Sequence, residues 1–282
     1  MKTSAWHCSY NVHSARLAAY FGSLANYSHK LITIKMKRNF TLFAILLSAN
    51  ILIAQNAIQY NTFFSNGEFN FISEATNENV DHGAIGEGVT WNFDNLKEGK
   101  HTKNWFGEAV EPIQSMNPEY FENADLCLRT ENGINKFWQH DEAGLSYLGY
   151  ETETSLLVLS DPLVHMPYPF VLGQNDTDVG KGDLYGTCSD SKWVCDLEAE
   201  VVGVGTLYLP NATFENAFKV RREVSITKTS LKTGNDKLYT ANVYLWYVNG
   251  VSGQVMEIKE WERDICYGPT QGKEVNFRTL TG

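Results

Sequence analysis

Two neighbouring stretches decide the fold: residues 217–227, AFKVRREVSIT, and residues 238–248, LYTANVYLWYV. In the first, Phe218, Val220, Val224 and Ile226 alternate with Lys219, Arg221, Glu223 and Ser225. In the second, Tyr239, Ala241, Val243, Leu245 and Tyr247 share one face, and Thr240, Asn242, Tyr244 and Trp246 the other. A period of two sends successive side chains to opposite faces of an extended chain, so both stretches are read as strands. The first is expected to be half-solvated and the second covered on both faces.

Working outward, Pro210-Asn211-Ala212-Thr213 separates Leu207-Tyr208-Leu209 from Phe214 and reads as a hairpin turn. Asp141-Glu142-Ala143-Gly144 separates residues 135–140 from 145–151 in the same way. Further strands are expected over 88–93, 126–130, 156–159, 198–204 and 255–262. Turn signals fall between them: NENVDHGAIGEG, SDP, PYP, GQNDTDVGKGD, KTGND and VNGVSG. No long segment carries a helical stripe, and no repeat or linker divides the chain. The expectation is one all-β domain over residues 55–282, an antiparallel β-sandwich or a related open, barrel-like sheet.

The first 54 residues are of another kind. From Met36 the chain reads MKRNFTLFAILLSANILIAQNA: a basic start at Lys37 and Arg38, a 15-residue mostly apolar run over 40–54, and the small residue Ala54 before Gln55. That order is a bacterial signal peptide with cleavage after Ala54, and it places the remainder in the periplasm, at the cell surface or outside the cell. The run is short of the roughly 20 residues that span a bilayer, so no stable membrane insertion is expected after cleavage. No Cys follows it to take a lipid anchor. Residues 1–35 fit no element and are read as an extension ahead of a true start at Met36. The rival reading, an organellar transit peptide, has only Arg16 and Arg38 to support it.

Setting the leader aside sharpens the charge. Six of the 23 basic residues and none of the 33 acidic ones precede Gln55, leaving 17 against 33, a net of −16. Such a surface repels phosphate backbones and anionic lipid, which argues against a nucleic-acid partner. Four cysteines remain, Cys127, Cys188, Cys195 and Cys266. An even count in an exported chain favours disulfides. Of three connectivities, Cys188 and Cys195 bracket CSDSKWVC, a polar turn that a staple could close, which would leave Cys127 to pair with Cys266; free buried thiols are the alternative.

Four stretches in order resemble exported proteins of Bacteroidetes: GEGVTWNFDNL at 86–96, LVLSDPLVHMPYPFVLGQNDTD at 157–178, VVGVGTLYLPNATFENAFKVRREVSI at 201–226 and YLWYVNGVSGQVMEI at 244–258. Many such proteins also carry a type IX secretion sorting module, which this chain lacks. The resemblance implies phylum and export. It carries no catalytic residue.

Chemistry is sparse. Of His82, His101, His140 and His165, only His82 in Asp81-His82 and His140 in His140-Asp141-Glu142 have carboxylate neighbours, and both are placed in turns. Gly144-Leu145-Ser146-Tyr147-Leu148-Gly149 lacks nucleophile-elbow spacing, and HExxH, a P-loop and GxGxxG are absent from the part after the leader. Residues 176–183, DTDVGKGD, resemble a calcium loop, but Gly180 stands at its fifth position and no Glu at its twelfth. No cofactor is implied. Asn175-Asp176-Thr177 and Asn211-Ala212-Thr213 match glycosylation sequons, a reading that lapses in a bacterial protein. The ligand-binding residues are unknown from the sequence; Trp193, within the expected polar turn, is the best candidate among the tryptophans for an exposed ring that could stack on a ligand, against the alternative of a core ring. The expected role is therefore non-catalytic binding or interaction. A secreted carbohydrate-active enzyme or carbohydrate-binding protein is the alternative, since a glycosidase pair needs no fixed sequence spacing.

Overall fold

The computed structural model describes residues 57–59, 67–75, 79–108, 115–186, 190–251, 253–265 and 268–278. The leader, with residues 1–35, the signal segment 36–54 and the cleavage position Ala54, lies outside them. All described strands belong to one compact unit, Asn56–Gly282.

The fold is all-β. Among the described residues fifteen strands follow one another: β1 (Ala57–Ile58), β2 (Gly67–Ala75), β3 (Gly86–Asn92), β4 (Glu98–Glu108), β5 (Leu126–Thr130), β6 (Asn135–Asp141), β7 (Gly144–Glu151), β8 (Ser155–Pro167), β9 (Phe170–Val171), β10 (Asn175–Gly186), β11 (Ser191–Leu209), β12 (Ala212–Ser230), β13 (Asp236–Tyr247), β14 (Gln254–Ile265) and β15 (Gly268–Arg278). The only helical element among the described residues is a one-turn 3-10 helix, Pro118–Tyr120.

The main sheet runs β10-β8-β7-β6-β5-β4-β2-β15-β14-β13-β12-β11, and β10 pairs in turn with β11. Twelve antiparallel strands therefore curl into a hydrogen-bonded ring, the barrel-like form of the expected fold. β11 is long enough to serve two neighbours on one edge. β10 covers its residues 191–200, and β3 pairs parallel with 203–208. The second pairing needs Gly205, where an added Cβ would lie 1.9 Å from the Val89 carbonyl oxygen.

The two deciding stretches form β12 and β13. Phe218, Val220, Arg222, Val224 and Ile226 lie opposite Tyr247, Leu245, Val243, Ala241 and Tyr239, and on the other side opposite Val204, Val201, Ala199, Leu197 and Cys195. This shared parity faces the inside of the ring. One end of the interior is packed with Ile58, Leu126, Leu145, Met166, Phe170, Val204 and Phe218, with β1 and β9 pairing there.

The outer face of β13 is covered only toward its C-terminal end, at Tyr244 and Trp246, which corrects the expectation of cover along its whole length: Thr240 is half-buried and Asn242 exposed on an open surface. Trp91 and Phe93 meet Trp246 edge-on at 6.0 and 5.5 Å between ring centroids, in a second cluster with Met256, Ile258, Val275 and Phe277. Burying rings of this size stabilises by about 2 kcal/mol each. β12 is half-solvated as expected at Arg221, Glu223 and Ser225, and the overlying segment makes Lys219 the exception. Lys219 is completely buried beneath it and donates to the carbonyl oxygens of His82, Gly83 and Ala84 at 2.8, 2.9 and 3.3 Å.

Both expected hairpins form, with Leu209 opposite Ala212 and Asp141 opposite Gly144. GQNDTDVGKGD is not a turn but most of β10. Its polar, glycine-rich sequence is held as a strand by neighbours on both edges. The glycines are required, because a Cβ on Gly182 would lie 2.1 Å from the Val158 carbonyl oxygen. SDP likewise lies within β8, next to a register shift in its pairing with β10.

Candidate ligand-binding site

Between the apolar end of the ring and its other end lies a cavity of about 310 Å³. Inward residues of eight strands line it, β5 to β8 on one side and β11 to β14 on the other. Much of the wall is apolar, with the aliphatic residues Leu128, Leu145, Leu163, Leu197, Val224, Ile226, Val243 and Leu245. Set into it are Lys136, Trp138, Tyr147, His165, Arg222, Tyr247, Glu257 and Lys259. This composition, apolar walls with a few convergent polar groups, is that of small-molecule pockets, which begin at roughly this size.

The polar groups are not spread evenly. Arg222, 9 % exposed, donates to the His165 carbonyl oxygen at 3.1 Å, approaches His165 Nδ1 at 3.3 Å and hydrogen-bonds the Tyr247 hydroxyl. Its Nε has no hydrogen-bond partner. Among the described residues no carboxylate lies within ion-pair distance of Arg222 or Lys136. Lys259 pairs with Glu274, and Glu257 accepts from the Asn276 amide at 3.1 Å. Burial, with the charges of Arg222 and Lys136, pushes His165 well below its ordinary value, so it is a neutral imidazole at pH 7. Trp138 meets the His165 ring edge-on at 4.7 Å and leans on Tyr147 at 4.8 Å.

The cavity adjoins a more open hollow of about 440 Å³ at the far end of β12 to β15, the two sharing Ile226 and Lys259. Lys228, Lys237, Lys259 and Arg263 line this mouth against Asp264 and Glu274. A chain of net charge −10 thus turns a cationic surface toward its interior.

Trp193 is not exposed. It lies in β11, 5 % accessible, its position paired with Gly182, and it forms part of the cavity wall. The expected polar turn CSDSKWVC is strand from Ser191 onward, so Cys195, opposite Gly180, stands well inside the ladder and not at a turn that a staple could close. Neither expected disulfide is formed. Cys127 and Cys195 are buried free thiols, both pushed up to about 12, chiefly by burial, and Cys188 and Cys266 lie outside the described residues.

The histidines do not converge with one another. His82 stacks on Tyr244 at 3.8 Å outside the ring, His101 pairs with Glu98, and His140 meets Tyr168 edge-on. The calcium-like string is extended in β10 and cannot wrap an ion: Asp178 accepts from the Val164 amide at 2.6 Å, and Asp183 pairs with Lys192. Among the described residues no group of three or more His, Cys, Asp or Glu could hold a metal ion.

A polar saddle lies outside β10 to β15, with Asp161, Asp196, Glu198, Glu223, Glu260 and Glu262 around it. Its carboxylates are in good part matched by cations, Arg221 reaching Glu198, Glu200 and Glu223, and Lys273 reaching Glu260. A face so charged is not the apolar band that a transmembrane barrel turns to lipid. Among the described residues no helix is long and apolar enough to cross a membrane.

Sequence reasoning missed the cavity, although one signal was present: Arg222 stands at an inward position of an otherwise apolar alternation. His165 and Lys136 gave none, because their strands were read too short or without regard to face. Compared with protein-family models, curated proteins and solved structures, the chain shows no match.

Proposed function

We propose that this chain is an exported, non-catalytic binding protein that holds a small apolar ligand inside its ring of strands, at the cell surface or beyond it. The cavity carries the reading: about 310 Å³ inside a largely apolar wall, beside a hollow at one end of the ring. Export is supported by the basic, apolar and small residues in order over 36–54, and by the four stretches that resemble exported Bacteroidetes proteins.

Trp138 and Trp193 in the wall supply the test. Titrating straight-chain ligands of about ten carbons, a size matched to the cavity, should change tryptophan fluorescence saturably and raise the melting temperature. The Trp138→Phe variant should lose much of the fluorescence change while keeping the thermal shift. No response in either measurement would contradict the reading. For export, N-terminal sequencing of secreted material should begin at Gln55, and a start at Met1 would contradict it.

The alternative, a carbohydrate-active protein, has the outer saddle in its favour, since carboxylates line a concave surface there. Trp261 is its one aromatic lining residue, against the several rings on which sugars stack. Glycan binding weakened by Glu223→Gln and unaffected by cavity ligands would favour this alternative.

A further inference from the structure

Resting on the cavity as a ligand site, we infer that its ligand is an apolar carboxylic acid, bound with the carboxylate at Arg222 and the chain running toward Ile226 and the lysine-lined mouth. A neutral apolar ligand would leave the Arg222 guanidinium inside the ring with no carboxylate in ion-pair distance and with Nε unpartnered. Uncompensated charge at such a place is destabilising, and proteins keep it where it meets something.

Four observations fix the ligand's chemistry. The guanidinium is a planar fork that matches a carboxylate through two parallel N–H donors. Lys136 lines the same cavity with no carboxylate at ion-pair distance, the charge of Glu257 acting on it from farther off, so Arg222 and Lys136 together carry more positive charge than Glu257 offsets. From Arg222 the wall continues as Val224 and Ile226, four residues of strand or about 13 Å, which the extended chain of an acid of about ten carbons can line. Beyond Ile226 the Lys228–Lys237 mouth gathers anions that the rest of this acidic surface repels.

The experiment compares decanoate, decanol and decyltrimethylammonium by calorimetry on the purified protein and on Arg222→Met and Lys136→Met. Decanoate should bind at least about tenfold more tightly than decanol, and decyltrimethylammonium more weakly than either. Arg222→Met should abolish the preference for decanoate and leave decanol binding in place. That retained binding also shows that the variant folds. Equal binding of decanoate and decanol, unchanged in Arg222→Met, would overturn the carboxylate inference and leave the cavity reading standing. Binding of none of the three would remove both.

Discussion

Arg222 and His165 meet inside the ring, the guanidinium 3.3 Å from Nδ1 and donating to the His165 carbonyl oxygen at 3.1 Å. One residue comes from β12 and the other from β8, strands that are not neighbours in the sheet. In the ring β10 and β11 lie between them, so the contact spans those two strands through the interior. With the Tyr247 hydroxyl it gives a buried cation only neutral partners, an imidazole, a carbonyl and a phenol, which orient it without neutralising it.

Replacing that cation should stabilise the empty protein. Arg222→Met keeps much of the side-chain volume and removes an uncompensated charge, and exchanges of this kind gain about 1 kcal/mol or more. For a unit of this size the melting temperature should rise by about 2–4 °C, read by calorimetry without ligand. A fall would mean that Arg222 is satisfied by the protein alone.

Lys219 is the opposite case, a buried cation that the chain fully engages. Its Nζ meets three carbonyl oxygens and His82 Nδ1, and it lies 5.0 to 5.9 Å from the ring centroids of Tyr244, Trp246 and Trp91. Lys219→Met should cost about 3 kcal/mol and raise hydrogen exchange over 82–91, with the interior cavity still binding ligand. Loss of ligand binding together with stability would show that the outer segment and the ring are one cooperative unit.

Acid should destabilise the fold through its histidines. Burial pushes His140 down to about 4 and His165 well below its ordinary value of 6.5. Below pH 6.5 the unfolded chain binds protons that the folded chain refuses, so stability falls as pH drops from 6.5 toward 4. Urea denaturation at pH 7, 6, 5 and 4.5 should show the decline, and His165→Gln should flatten it. A stability unchanged between pH 7 and 4.5 would contradict these placements.

Cys127 and Cys195 should be inert in the native protein. Burial pushes both thiols up to about 12, so almost no thiolate is present at pH 8. Iodoacetamide at that pH should leave both unmodified until denaturant is added, as peptide mass spectrometry would show. Native labelling of Cys195 would mean that the interior opens on its own.

The strand-forming power of the sequence was legible wherever one face is apolar: β12, β13, and the β6–β7 and β11–β12 hairpins announce themselves by alternation and turn residues. β10 was not legible, since its Asp, Asn and Gly residues follow turn chemistry and only the pairing of both its edges makes it a strand. The same error hid the position of Trp193, because reading a turn at 188–195 placed that residue in solvent when its strand parity turns it inward. The cavity was harder still. It depends on which side chains from β5 to β8 meet those from β11 to β14, a long-range pairing that no local pattern encodes. The misplaced charge at Arg222 was the one local mark of it.

The most direct test of the central claim is a crystal structure with decanoate. The account predicts electron density inside the ring, with the carboxylate in hydrogen-bond distance of the Arg222 guanidinium and the chain directed along Val224 toward Ile226. Decanoate confined to the outer saddle, with the interior still empty at saturating concentration, would contradict it.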